Sequence, residues 1–154
     1  MLNPTISETN LKTSLRMFFY EEFENKRDTP VTFDKGLSIP YTSGQVGKDS
    51  ADRWIAIFFN IRRHSILSEQ IVDFYCCTRK DVDQVILDEV MDIIIETLYP
   101  DDHNLVIPFY DVQSEEIIGH LFPLRIYQQY GNQTALDGTN FKVISVGFRW
   151  ATTL

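Results

Sequence analysis

The segment Arg53–Ile61 (RWIAIFFNI) constrains this chain more than any other part of it. Strand alternation puts Ile55, Ile57, Phe59 and Ile61 on one face and Trp54, Ala56, Phe58 and Asn60 on the other, so both faces are largely apolar. Such a strand belongs in a sheet covered on both sides, by its own chain or by a partner. Glu69–Thr78 reads as a second strand, with Val72, Phe74 and Cys76 opposing Ile71, Asp73, Tyr75 and Cys77. The turn around Arg62 to Ser68 makes the pair an antiparallel hairpin.

Helical spacing surrounds this hairpin. Thr5-Ile6-Ser7-Glu8 has the form of a capping box, and Leu11, Leu15, Phe18, Phe19 and Phe23 form an apolar stripe, predicting a helix over about residues 6–26. Asp28-Thr29-Pro30 stops it. Val31-Thr32-Phe33 can form a short strand, and residues 34–52, with Gly36, Pro40, Gly44 and Gly47, read as a long loop. Asp81 can cap a second helix, with Gln84 three positions on, whose stripe is Val82, Val85, Ile86, Val90, Ile93, Ile94 and Leu98. It ends near Tyr99-Pro100. Three β-prone stretches follow, Leu105–Val112, Leu121–Tyr130 and Phe141–Thr152, the last two joined through a polar, turn-rich segment as a long hairpin. The expected fold is a single α+β domain over residues 1–154: an antiparallel sheet with two helices packed on one face, in the order α-β-β-β-α-β-β.

Composition narrows the function classes. With 154 residues, 44% apolar and 23% charged, the chain is a compact domain rather than a disordered, collagen-like or coiled-coil one. Aromatic residues make up 13%, which favours strands and contact surfaces. The net charge of −8, from 22 acidic and 14 basic residues, leaves out the broad basic footprint of a tight nucleic-acid binder. The longest apolar run, Trp54–Phe59, is too short to span a membrane, and the N-terminal MLNPTISETN lacks a signal-peptide layout, so a cytosolic protein is expected. Cys76 and Cys77, being adjacent, point to opposite faces of their strand and read as buried small residues.

Chemistry-bearing motifs are weak. Ser43-Gly44-Gln45-Val46-Gly47-Lys48-Asp49-Ser50 fails as a phosphate loop, because Thr42 stands where glycine is needed and Asp49 where Ser or Thr is needed. His64, His103 and His120 lack partners at metal-ligand spacing, and Asp101-Asp102-His103 reads as a post-helix turn. No GxSxG elbow occurs. No catalytic, cofactor or metal site is therefore expected. One charge feature stands out: between Lys80 and Arg125 lie eleven acidic residues and no Lys or Arg, giving the second helix a one-signed polar face. Asp88, Asp92 and Glu96 on it are candidates for a partner-facing or lumen-facing acidic surface. Basic residues cluster instead at Arg62-Arg63-His64 and at Arg79-Lys80.

An amphipathic N-terminal helix, a long irregular segment, the Trp-led RWIAIFFNI strand, IVDFYCCTRKDVDQVILDEVMDIIIETL running from strand into helix, and the aromatic strand FKVISVGFRW occur in that order. This resembles the tail terminator proteins of long-tailed bacteriophages and the tail-completion proteins of the neck. The resemblance implies a non-enzymatic virion subunit, assembled in the host cytoplasm, that forms a ring, typically a hexamer, on the tail tube. There it halts tube growth and meets the head–tail connector while DNA passes without specific binding.

A closed ring needs two dissimilar patches with apolar anchors. Trp54, Phe58, Phe74, Tyr127 and Trp150 are the candidate interface side chains, on the reasoning that Trp54, Phe58 and the Phe74 side of its partner strand lie on the face the helices leave open. Three other readings stay open: a head–tail connector or neck adaptor protein, an acidic adaptor that docks a basic host or phage protein through the second helix, and a small metal-dependent phage enzyme using carboxylates near Asp101, Asp102 and Asp111.

Overall fold

The computed structural model describes residues 7–36, 53–63, 68–79, 81, 83–101 and 104–152. Thr5 of the expected capping box, residues 37–52 of the long loop with its phosphate-loop-like stretch, and His64, Lys80, Val82, Asp102 and His103 lie outside them.

Helix α1 (Glu8–Phe19) is capped by Ser7, whose Oγ accepts the Asn10 N–H at 3.3 Å. Beyond Phe19 it widens into a π-helical turn, Tyr20–Asn25, that keeps Phe23 buried beside Phe19, the rings stacked at 5.9 Å. The Thr29 N–H then bonds back to the Phe23 carbonyl at 2.9 Å.

Six strands form one sheet in the order β1 (Val31–Phe33), β2 (Arg53–Arg63), β3 (Glu69–Thr78), β6 (Asn140–Thr152), β5 (Glu116–Thr134) and β4 (Ile107–Asp111). β2 and β3 pair antiparallel, but β1 runs parallel to β2, with Val31 opposite Ile55 and Phe33 opposite Ile57. This corrects the expected fold. The chain order is α-β-β-β-α-β-β-β, and the sheet is mixed and curls into a half-barrel with two helices, not an antiparallel sheet with helices on one face. Two physical causes account for the difference. The separation between Phe33 and Arg53 exceeds the dozen or so residues a parallel crossover needs. Register shifts between Phe59 and Arg62, between Phe109 and Tyr110, and at three points along β5 bend the strands.

The main core joins Leu11, Leu15, Phe19 and Phe23 of α1 and its extension to Leu87, Val90, Ile94 and Leu98 of α2 (Val85–Leu98). Beneath them lie Ile55, Ile57, Val72, Phe74, Ile144, Val146 and Phe148 of the central strands. A smaller cluster, Trp54, Ala56 and Cys77 with Phe58, Tyr75 and Phe141 against it, occupies the other side of the sheet.

Polar side chains position both helices. Asn10 Oδ1 accepts the Val112 N–H at 3.0 Å, and Ser14 Oγ accepts the Tyr110 N–H at 2.9 Å while donating to the Asn10 carbonyl at 2.7 Å. α1 thus takes the place a further strand would have along β4, satisfying edge groups that need partners. Asp81 caps α2 from outside the helix, its carboxylate accepting Leu87 N–H at 2.9 Å, Ile86 N–H at 3.3 Å and the Thr78 hydroxyl at 3.3 Å. Gln84, expected as its capping-box partner, instead sits in the left-handed region at φ 56° immediately before the helix.

Candidate functional site

The long β5–β6 hairpin carries the least covered part of the sheet. β6 is paired on both sides, to β3 and to β5, whereas β4 pairs with β5 only from Glu116 to Leu121. From Phe122 to Thr134, β5 therefore has no strand on its outer side among the described residues. Leu124 (42% exposed), Ile126 (39%) and Tyr130 (47%) lie along this flank, and Leu136 stands fully exposed in the hairpin turn. An edge of this length is an association surface unless something blunts it. Here the bulges at Pro123/Arg125, Ile126/Gln128 and Tyr130/Gln133 make it irregular, so it presents side chains as much as main-chain groups.

Electrostatics sets the flank apart. Between Glu116 and Asp137 the sole formally charged residue is Arg125, with His120 also present. Arg125 is exposed, donates to the Tyr127 hydroxyl at 2.8 Å and lies 4.5 Å from that ring's centroid. The Tyr127 hydroxyl in turn donates to the buried Glu69 carboxylate. Gly147 of β6 makes room for this pair: a Cβ there would stand 2.7 Å from both Glu69 Oε2 and Tyr127 Cε2. Beside it, Asp73 accepts from the Ser145 hydroxyl at 2.6 Å and from Asn60 Nδ2 at 2.9 Å, so the sheet side away from the helices carries a polar row next to the Trp54 cluster.

The structure separates the five aromatic candidates. Phe74 does not share a face with Trp54 and Phe58: it lies opposite Ile57 and is wholly buried in the main core, with ring centroids 5.1 Å from Phe19 and 6.3 Å from Phe23. Alternation within each strand does not fix the register between strands, and directly opposite residues share a face, so pairing with Ile57 puts Phe74 on the helix side. Trp54 is also wholly buried, its indole N–H without a hydrogen-bond partner among the described residues. Phe58 is half-buried, edge-on to Tyr75 at 5.1 Å. Trp150 is half-buried against the main core, with the Arg62 guanidinium 5.3 Å above its ring. Tyr127 is the one of the five that lies on the β5 flank.

The acidic candidates Asp88, Asp92 and Glu96 are all exposed on α2. Asp88 pairs with Lys142 of β6, and its neighbour Glu89 lies 3.8 Å from Arg53 of β2, so part of the acidic face ties the helix to the sheet. Asp92 and Glu96 make no ion pair among the described residues.

Other candidates are occupied by structure. Asp111 accepts from Gln113 N–H at 3.2 Å and from the Ser114 hydroxyl at 3.1 Å, building the turn between β4 and β5. Among the described residues no three His, Cys, Asp or Glu side chains form a metal-holding group. Burial pushes the Cys77 thiol up to about 12 and that of Cys76 higher still, so neither is a thiolate at neutral pH.

The exposed apolar residues of the flank went unremarked in the sequence. Their signal was present as a strand-like stretch, Ile126 to Leu136, without a single charge in a chain of net charge −8.

Together these features define a class by fold alone, a half-barrel with two helices and a long flank left open among the described residues. No family model matches the chain, and no curated protein matches it. A solved protein known only by a serial designation has a similar fold, with a TM-score of 0.62 and 12% identity, covering 97% of this chain and 99% of that one. No helix among the described residues is long and apolar enough to cross a membrane.

Proposed function

We propose that this chain is a structural subunit of a bacteriophage tail, a terminator that closes into a ring on the end of the tail tube and joins it to the head–tail connector. The observation that carries this reading is the β5 flank, where Leu124, Ile126 and Tyr130 are exposed on an edge that no strand among the described residues covers. Subunits that close head to tail need such a patch. The order of helices and strands that resembles tail terminators supports it too. The reading takes a homohexameric ring with the tail tube protein and the connector as partners, in the virion and after assembly in the host cytoplasm. The exposed carboxylates Asp92 and Glu96 suit a surface past which DNA must move without sticking, since like charges repel across about a Debye length.

Analytical ultracentrifugation with negative-stain microscopy tests the proposal, in the presence and absence of tail tubes. A closed ring is expected, free or at the tube end. A chain that stays monomeric at high concentration and never adds to tubes overturns it.

A further inference from the structure

We infer that Arg125 and Arg149 receive a carboxylate of the neighbouring copy, so that the sheet side away from the helices, beside the β5 flank, is where one subunit of the ring holds the next. The inference rests on the ring reading and names the side chains that make the contact.

The strand register brings the two arginines together. Arg125 of β5 stands opposite Gly147 of β6, and Arg149 follows two residues further along β6, so the two are diagonal neighbours on one face. That face is the one away from the helices, because Val146 and Phe148, which alternate with Gly147 and Arg149, belong to the main core. Neither arginine makes an ion pair among the described residues. The carboxylates nearest to them are engaged elsewhere. Glu69, opposite both Arg149 and Arg63 in the ladder, is 5% exposed and accepts from the Tyr127 hydroxyl. Asp73, further along β3, is held by Ser145 and Asn60, and from Ile117 to Leu136 the chain has no acidic residue. Arg125 is also set in place beforehand, stacked on the Tyr127 ring and bonded to its hydroxyl, while Tyr127 is anchored to Glu69 over Gly147. A guanidinium fork held this way loses little side-chain freedom on gripping a carboxylate through two parallel N–H groups.

A second copy is the occupant that the charges select. The chain has 22 acidic and 14 basic residues, so most approaches between two copies bring like charges together, whereas this corner offers cations to an acidic surface. A polyanion such as DNA fits less well, since two guanidinium groups are a small part of the basic footprint that tight binding needs. Leu124, Ile126 and Tyr130, exposed on the same strand, add the apolar contact that a protein partner uses.

The test uses the full chain and four variants: Arg125→Gln, Arg149→Gln, the double variant Arg125→Gln/Arg149→Gln, and Lys26→Gln, in which a cation paired with Glu22 is removed instead. Sedimentation velocity over a concentration series, under the conditions in which the wild type forms rings, reads the concentration at half assembly, and circular dichroism melts check that each variant folds. Each arginine variant is expected to raise that concentration about tenfold or more, and the double variant to depend less steeply on sodium chloride than the wild type. Lys26→Gln, equal in net charge to either single arginine variant, is expected to assemble like the wild type. Arg149→Gln breaks no hydrogen bond or ion pair among the described residues, so it decides the matter should Arg125→Gln loosen the flank. Double-variant rings that form at the wild-type concentration, whether or not they still add to tail tubes, or an equal loss in Lys26→Gln, overturn the inference while the ring reading stands. A wild type that forms no ring, with or without tail tubes, overturns both.

Discussion

At the scale of single residues, Gly147 shows how a side chain's absence can be structural. In a strand interior alanine normally improves on glycine by about 0.5–1 kcal/mol, because glycine loses more backbone freedom on folding. Here the added Cβ would meet the Glu69 carboxylate and the Tyr127 ring, both at 2.7 Å, and drive apart the hydrogen-bonded pair. Gly147→Ala is expected to destabilise the protein by about 1–3 kcal/mol in urea unfolding, with part recovered in Gly147→Ala/Tyr127→Ala. Glu22 carries a pH dependence. Burial works against its charged form, but hydrogen bonds and charge attraction from Lys26 and Arg27 prevail and hold its carboxyl below the ordinary carboxylate range. A lowered folded value means the stabilisation is present at neutral pH and is lost as pH falls through that value. The stability gap between wild type and Glu22→Gln, measured as urea midpoints, should be widest at neutral pH and close as the solution is acidified into and below that range.

At the scale of elements, the half-barrel depends on a helix doing the work of a strand. Ser14 and Asn10, polar positions in an otherwise apolar stripe, hold the main-chain N–H groups of Tyr110 and Val112 at the outer edge of β4. Ser14→Ala would leave the Tyr110 N–H without its partner. The expected cost is about 1–3 kcal/mol, and in hydrogen exchange the Tyr110 amide should lose protection while that of Val112, still bonded to Asn10, changes less. Both helices were readable from their apolar spacing, and so was the β2–β3 pair, whose alternation matches the two clusters on either side of the sheet. The parallel placement of β1 was not readable. Three residues, Val31–Phe33, carry no signal of direction, which depends on the path the chain takes before β2. The far end of β5 was missed as well, because Gly131, Asn132 and Gln133 read as turn residues yet are held in the ladder by pairing with β6 across a bulge.

At the scale of the whole molecule, one core connects α1, α2 and strands β2 to β6, and this separates stability from association. Phe74 lies at its centre, packed against Phe19, Phe23 and Phe148. Phe74→Ala should cost about 3–5 kcal/mol and move fluorescence and circular dichroism transitions together, because every element shares the cluster it empties. Ile126→Asp, by contrast, changes a side chain that is 39% exposed and away from the shared core, and should cost about 1–2 kcal/mol, well below the loss at Phe74. An interface built on Phe74 would predict the reverse pattern.

By itself, the sequence determined what depends on neighbours along the chain: apolar stripes every three or four residues, alternation along β2 and β3, and the one-signed charge of α2. Tertiary structure alone decided which surfaces are free. Exposure follows from what lies across a strand or beyond a sheet edge, and those neighbours come from distant parts of the chain. Trp54 and Phe74 are covered although they looked available, and Leu124 and Ile126 are exposed, because β4 stops pairing at Leu121 while β5 continues to Thr134.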